Sequence, residues 1–254
     1  METLTVAAAQ TSSVLGDIGR NVQESLEWAA KAAADGAELI VFPELSLIGY
    51  ELTQLDEASA WVTPDDPRLD PLRATPMTTV VGAAVRTAEG KQLLASLVFH
   101  PGGRITVYGK RYLHGAEHRF FEPGDEVGLV ELGGWRVAPA ICYDAGVPGH
   151  AQQAAAAGAH VYLASSLYTM AEVRRIDLHL GARAMDHRMY AVAANHAGSG
   201  PGWESCGGSG VWHPDGRRLI AAGREPELVL HTLSRAELKE LRERDAQLGY
   251  PRPE

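Results

Sequence analysis

Three residues of complementary chemistry stand just past apolar, strand-like runs in this sequence: a carboxylate, an ammonium and a thiol. Ile40-Val41-Phe42-Pro43 leads to Glu44, Val107-Tyr108-Gly109 to Lys110, and Val137-Ala138-Pro139-Ala140-Ile141 to Cys142. A thiol with a pKa of about 8.5 is mostly protonated at neutral pH, so it needs a base or a cationic neighbour before it can attack. Glu44, if shielded from water, can take that proton and return it to a leaving amine. Lys110 can stabilise a thiolate and, together with the Tyr143 backbone N–H, hold the oxyanion of a tetrahedral intermediate. Each residue also has a plainer reading. Cys142 can be a small buried hydrophobe, Glu44 a helix cap and Lys110 a solvated turn residue.

The elements that must position these groups alternate between helix and strand. Residues 4–9 and 37–42 are apolar enough for strands. Between them Val22, Leu26, Ala29, Ala30 and Ala33 recur at three- and four-residue steps, which predicts a helix over 18–34 closed by Gly36. The Asp- and Pro-rich stretch 55–76 reads as surface loop with a short helix near 56–61. Residues 79–85, 93–100 and 104–108 predict an antiparallel meander turning at Ala88-Glu89-Gly90-Lys91 and Pro101-Gly102-Gly103, so the sheet should be mixed. Short strands at 128–132 and 135–141 lead into Cys142. An alanine-rich helix over 148–157 follows, and a helix N-terminus near the thiol would favour its ionised form.

Beyond it, a strand at 160–164 opens into Ser165-Ser166-Leu167-Tyr168, where Ser166 and Tyr168 are candidate substrate contacts. A helix over 171–188 carries Arg174 and Arg175, which read as a solvated face or as a reader of a substrate carboxylate. A strand at 190–194 tipped by Asn195, a hairpin turning at Pro214-Asp215-Gly216, a strand at 227–232 and a helix opened by the capping box Ser234-Arg235-Ala236-Glu237 complete the chain. The interleaving is that of an α/β fold over residues 1–254 as a single domain, with 248–254 as a C-terminal tail.

Composition narrows the partners. A formal charge of -9 opposes nucleic-acid binding. The start of the chain has no basic signal-peptide segment and no run is long enough to span a membrane, so a cytoplasmic location is expected. In that compartment Cys142 and Cys206 are expected as free thiols, with Cys206 structural. The ten histidines form no HExxH pair or zinc-finger cluster, so neither a metal nor another cofactor is expected.

The order Glu44, Lys110, Cys142 in the contexts FPEL, GKRYL and ICYDAGVP resembles the nitrilase superfamily, the carbon-nitrogen hydrolases. The likeness extends through AAAQTSSVLGDIGRNV, EHRFFEPGD, GARAMDHRMYAVAANHAG and GGSGVWHPDGRRL. It implies a four-layer α-β-β-α sandwich of two mixed β-sheets, a homodimer or higher homo-oligomer, and thioester hydrolysis of a non-peptide carbon-nitrogen bond by Glu44, Lys110 and Cys142. Glu117 matches a second acidic pocket residue, with Glu122 as the alternative in the same loop. The expected substrate is a small amide or N-carbamoyl compound, with water as second reactant. A nitrile, or a non-catalytic interaction role on the same scaffold, is the rival. After Cys142-Tyr143-Asp144 this chain carries Ala145-Gly146-Val147-Pro148, where many members have Arg-Phe-Pro-Glu.

Overall fold

The computed structural model describes residues 1–249. The first sheet begins with β1 (Thr3–Gln10), continues after helix α1 (Ile18–Ala34) with β2 (Leu39–Val41), and after the one-turn helix α2 (Asp70–Arg73) with β3 (Thr78–Arg86), β4 (Gln92–Phe99) and β5 (Ile105–Gly109). The second sheet begins with β6 (Val130–Leu132) and β7 (Trp135–Ile141). Helices α3 (Tyr143–Gly146) and α4 (Pro148–Ala156) then precede β8 (Val161–Ser166), and helix α5 (Val173–His187) precedes β9 (Tyr190–Asn195). A two-residue hairpin pair, β10 (Ser199–Gly200) and β11 (Trp203–Glu204), separates β9 from β12 (Gly210–Trp212) and β13 (Arg218–Ala221). Strand β14 (Glu227–Ser234) returns to the first sheet, and helix α6 (Arg235–Gln247) follows it.

Each sheet has six strands, in the orders β14-β1-β2-β3-β4-β5 and β13-β12-β9-β8-β7-β6. Three central strands run parallel in both, β1-β2-β3 and β7-β8-β9, and the outer strands are antiparallel. Strand alternation sorts the side chains into layers. Leu4, Val6 and Ala8 of β1 meet Val137, Val161 and Val192 of the second sheet in the core between the sheets. Ala7 and Ala9 turn the other way, towards Val22 and Ala29 of α1. On the far side Ala138, Ala140, Ala164 and Ala193 face Ala151 and Ala154 of α4 and Leu180 and Ala184 of α5, small residues that let the helices approach closely. The result is the α-β-β-α sandwich of two mixed sheets.

Some local expectations are revised. The predicted short helix near 56–61 is instead two 3₁₀ turns, Leu52–Asp56 and Ala58–Ala60, the first capped by the Glu51 side chain. On α1, Ala30 faces solvent while Asn21, Ser25 and Ala32 are buried. A polar residue can occupy that face because Asn21 Nδ2 donates to the carbonyls of Val14 and Leu47, at 2.7 and 2.9 Å. The predicted helix 171–188 starts as a 3₁₀ turn, Met170–Glu172, and stops where Arg188 turns left-handed at φ 49°. Of the C-terminal tail, residues 250–254 lie outside the described residues. No helix among the described residues is long and apolar enough to cross a membrane.

The segment after β2 lies directly on β3. Leu47 N donates to Gly82 O, and Gly82 N donates to Ser46 Oγ at 3.0 Å. A Cβ on Gly82 would come 2.3 Å from Leu45 N and 2.5 Å from Pro43 O. Only glycine leaves room there for the backbone that carries Glu44. Gly82→Ala should therefore destabilise the fold by about 1–3 kcal/mol, the usual cost of overpacking. Chemical denaturation checks this, and an unchanged midpoint would show that the approach is not tight.

Candidate active site

Strands β2 and β5 of the first sheet and β7 of the second deliver their carboxyl ends to one place. Glu44 follows β2, Lys110 follows β5 and Cys142 follows β7, and the three side chains meet. Lys110 is fully buried. Its Nζ donates to Glu44 Oε1 at 2.6 Å and to Glu117 Oε1 at 2.7 Å. Neither the solvated-turn reading of Lys110 nor the capping reading of Glu44 fits that burial. Glu117 also accepts from Tyr50 Oη at 2.7 Å and, through Oε2, from His114 N at 2.8 Å. Both of its oxygens are thus engaged in holding Lys110 and the surrounding loops. Glu122, the other acid of that loop, is exposed and accepts from Gln92 N at the start of β4, at 3.3 Å.

Cys142 is strained. Its backbone lies at φ 43°, ψ −97°, outside the common basins, as the residue that opens α3. This sharp strand-to-helix turn projects the thiol into a cavity of about 280 Å³. Asp144 fixes the turn from below. Its Oδ2 accepts from Ile141 N at 2.9 Å and from Tyr108 Oη at 2.7 Å, while its Oδ1 accepts from Arg111 N and Tyr112 N at 3.2 and 2.9 Å. One buried carboxylate therefore ties the Cys142 turn to the segment that carries Lys110.

The electrostatics are decided by burial. Burial pushes the Glu44 carboxyl up to about 7, against the lowering by Lys110 and with a further rise from Glu117. Burial on its own disfavours the Lys110 ammonium, but Glu44, then Cys142 and Glu117, outweigh it and hold the ammonium above its ordinary value. The Cys142 thiol is raised well above the usual range by burial and then by Glu44, with Lys110 opposing. This corrects the expectation of a thiolate favoured by a helix N-terminus. Helix α3 is a single turn, and the buried carboxylate beside the sulfur acts more strongly than the ammonium. Glu44 Oε2 is buried and accepts no fully formed hydrogen bond; the Cys142 thiol lies near enough to favour the carboxylate without meeting that geometry. Such contacts tighten when substrate closes a site.

Of the other sequence-predicted residues, Tyr143 and Tyr168 line the cavity. The Tyr143 ring packs on His114, with centroids 5.2 Å apart, and Tyr168 Oη lies 3.1 Å from His179 Nδ1. Ser166 does not line it: as the last residue of β8 it is fully buried, and the chain turns towards the cavity only at Leu167. Arg175 reaches the mouth, paired with Glu172 at 3.2 Å, whereas Arg174 does not line the cavity. Arg183 donates to Ala145 O at 2.9 Å and lies 3.9 Å from Asp186, bracing α3. Asn195 holds loops, accepting from Tyr168 N and donating to Gly207 O, both at 2.7 Å. Cys206 is buried beside Asn195, away from the cavity.

Sequence reasoning did not find Tyr50, His114, Glu172, His179 or Trp203, all of which line the cavity. Tyr50 carried one usable signal, its place shortly after Glu44 in GYEL, but its left-handed backbone at φ 51° is not readable from residue type. No cluster of three potential metal-ligating side chains occurs among the described residues.

Comparison with known proteins agrees with this architecture. The model of the carbon-nitrogen hydrolase family matches residues 5–243. An (R)-stereoselective amidase of a Pseudomonas species is 32% identical, over 83% of this chain and 77% of its own. A CN-hydrolase superfamily protein of Xanthomonas campestris with an arsenic adduct in its active site superimposes with a TM-score of 0.89 at 25% identity, covering 98% of this chain and 97% of the other. A double mutant of an amidase from Nesterenkonia sp. AN1, in complex with acrylamide, gives a TM-score of 0.84 at 25% identity, with coverages of 99% and 98%. With nearly its whole length matched and its two sheets superimposed, the chain belongs to the carbon-nitrogen hydrolase family.

Proposed function

We propose that this protein hydrolyses the carbon-nitrogen bond of a small amide or N-carbamoyl compound through a thioester on Cys142. The observation that carries this reading is the meeting of carboxylate, ammonium and thiol, with Cys142 and Glu117 in the wall of one small cavity and Glu44 and Lys110 buried against them. The amidase relatives, one of them complexed with acrylamide, support the amide class.

The thiol is held protonated and burial raises the Glu44 carboxyl to about 7, so the proton moves as the bond forms. Cys142 Sγ attacks the carbonyl carbon while its proton passes to Glu44, and the carbonyl electron pair moves onto oxygen. An ammonium has three donors, and Lys110 uses two on Glu44 and Glu117. The third is available to the oxyanion, with the Tyr143 N–H in the first turn of α3, where backbone donors lack helical acceptors. Collapse breaks the carbon-nitrogen bond, and Glu44 returns its proton to the departing ammonia or amine. Water then attacks the thioester, Glu44 takes the water proton, and the sulfur leaves and recovers a proton. Glu117 holds Lys110 in place throughout.

Cys142→Ala should abolish turnover with folding unchanged, and Glu44→Gln should lower kcat by roughly 10²- to 10⁴-fold, the usual contribution of a general base. Ammonia release across a panel of amides, carbamoyl compounds and nitriles reads both variants and separates the amide reading from a nitrilase. Activity near the parent level in Cys142→Ala would reject the thioester.

The pH profile follows from the raised Glu44 carboxyl. A base works ionised, so kcat/KM should be lost as pH falls through about 7. A limb nearer an ordinary carboxylate pKa, about 4.3, would remove Glu44 from that role.

A further inference from the structure

The base follows a strand of the first sheet and the nucleophile a strand of the second, so play between the sheets changes the path of the shared proton. Asp144 is one polar clasp across that gap. A second grips the Glu44 backbone. His196, the first residue past β9, is fully buried, and its Nε2 lies 2.7 Å from the main-chain carbonyl oxygen of Glu44.

A carbonyl only accepts, so Nε2 carries the hydrogen and donates it. Burial holds the imidazole neutral, pushing it down to about 4, which leaves Nδ1 as a bare acceptor. That nitrogen is buried with no hydrogen-bond partner. An unpaired buried acceptor is costly, and an apolar side chain of similar shape would avoid the cost. What the imidazole supplies at this position is therefore its Nε2–H. Its surroundings keep that bond in one orientation: the Trp203 ring packs 5.4 Å from the imidazole, and Ser205 Oγ donates to the His196 carbonyl. The backbone it grips is tight as well, with Leu45 at φ 49° and Gly82 packed beneath.

We propose that His196 is a positioning residue for Glu44, its Nε2–H pinning the Glu44 carbonyl so that the carboxylate stays between Lys110 and Cys142. His196 does not line the cavity and acts through Glu44. The inference rests on Glu44 being the general base.

The test compares His196→Phe, which keeps a ring without a donor, with His196→Gln, whose amide N–H can reach the same carbonyl, alongside Glu44→Gln. Each is assayed from pH 5.5 to 9.5 with the amide that the parent turns over fastest. The Phe variant should lose kcat by on the order of 10- to 100-fold at nearly constant KM, the scale of a small misplacement of a reacting group. Its acidic limb should shift, and the Gln variant should recover most of the rate. The groups that face Glu44, namely Lys110, Glu117, Cys142, Tyr50 and Tyr168, are the same in both variants, so a moved limb reads the position of Glu44. Parent-like kcat and limb in His196→Phe would overturn the inference, as would equal losses in the Phe and Gln variants. If His196→Phe lacks a cooperative unfolding transition, His196→Met replaces it as the apolar counterpart of Gln. Parent-level kcat in Glu44→Gln would instead overturn the base assignment, and this inference with it.

Discussion

The Lys110 ammonium, buried without contact to water, lies 2.6 and 2.7 Å from two carboxylates that are buried as deeply. Removing three charges from water is unfavourable unless they are mutually satisfied, and taking away one member of a buried pair typically costs about 3–5 kcal/mol. The requirement to keep this cluster together orders much of its surroundings. Glu117 collects donors from Tyr50 and His114, while the glycine loop of 123–125 packs so closely on Lys110 that a Cβ on Gly124 would come 2.1 Å from Gly109 O. Two negative charges share one positive charge, and Glu117 holds three donors against one for Glu44. Burial, against the pull of Lys110 and with a further push from the Glu117 charge, leaves Glu44 able to hold or release a proton near neutrality.

The second constraint is mechanical. The sandwich supplies carboxylate and amine from one sheet and the thiol from the other, joined through an apolar core that has no directional bonds of its own. Direction comes from polar links at the carboxyl ends of the strands. Asp144 joins the Cys142 turn to residues 111 and 112, and His196 joins β9 to the Glu44 backbone. The positive-φ backbones of Leu45, Tyr50 and Cys142 are grouped at this same end. Strain of that kind persists where surrounding contacts over-determine it.

Much of this was legible in the residues, for identifiable reasons. The strands β3, β4 and β5 are bounded by turn residues and carry nearly continuous apolar runs, so their antiparallel meander could be read directly. Glu44, Lys110 and Cys142 were visible because each ends such a run. The state of the thiol was not legible, since it depends on burial and on a carboxylate about one hundred residues away in the chain. Ser166 was placed at the rim because the strand was read as ending two residues early; the parallel ladder with β9 continues to Ser166 and buries it. His196 and Trp203 gave no signal because their roles arise from contacts between distant segments, and no local period or motif encodes such contacts.

The central claim is that the convergent sulfur becomes covalently acylated. The most direct measurement is intact-protein mass spectrometry of the parent, quenched in acid during turnover of an amide substrate, with Cys142→Ala in parallel. The account predicts a parent species heavier by the acyl group, with the adduct mapped to Cys142 and absent from the variant. Steady turnover with no adduct at any quench time, or an adduct of equal yield in Cys142→Ala, would contradict it.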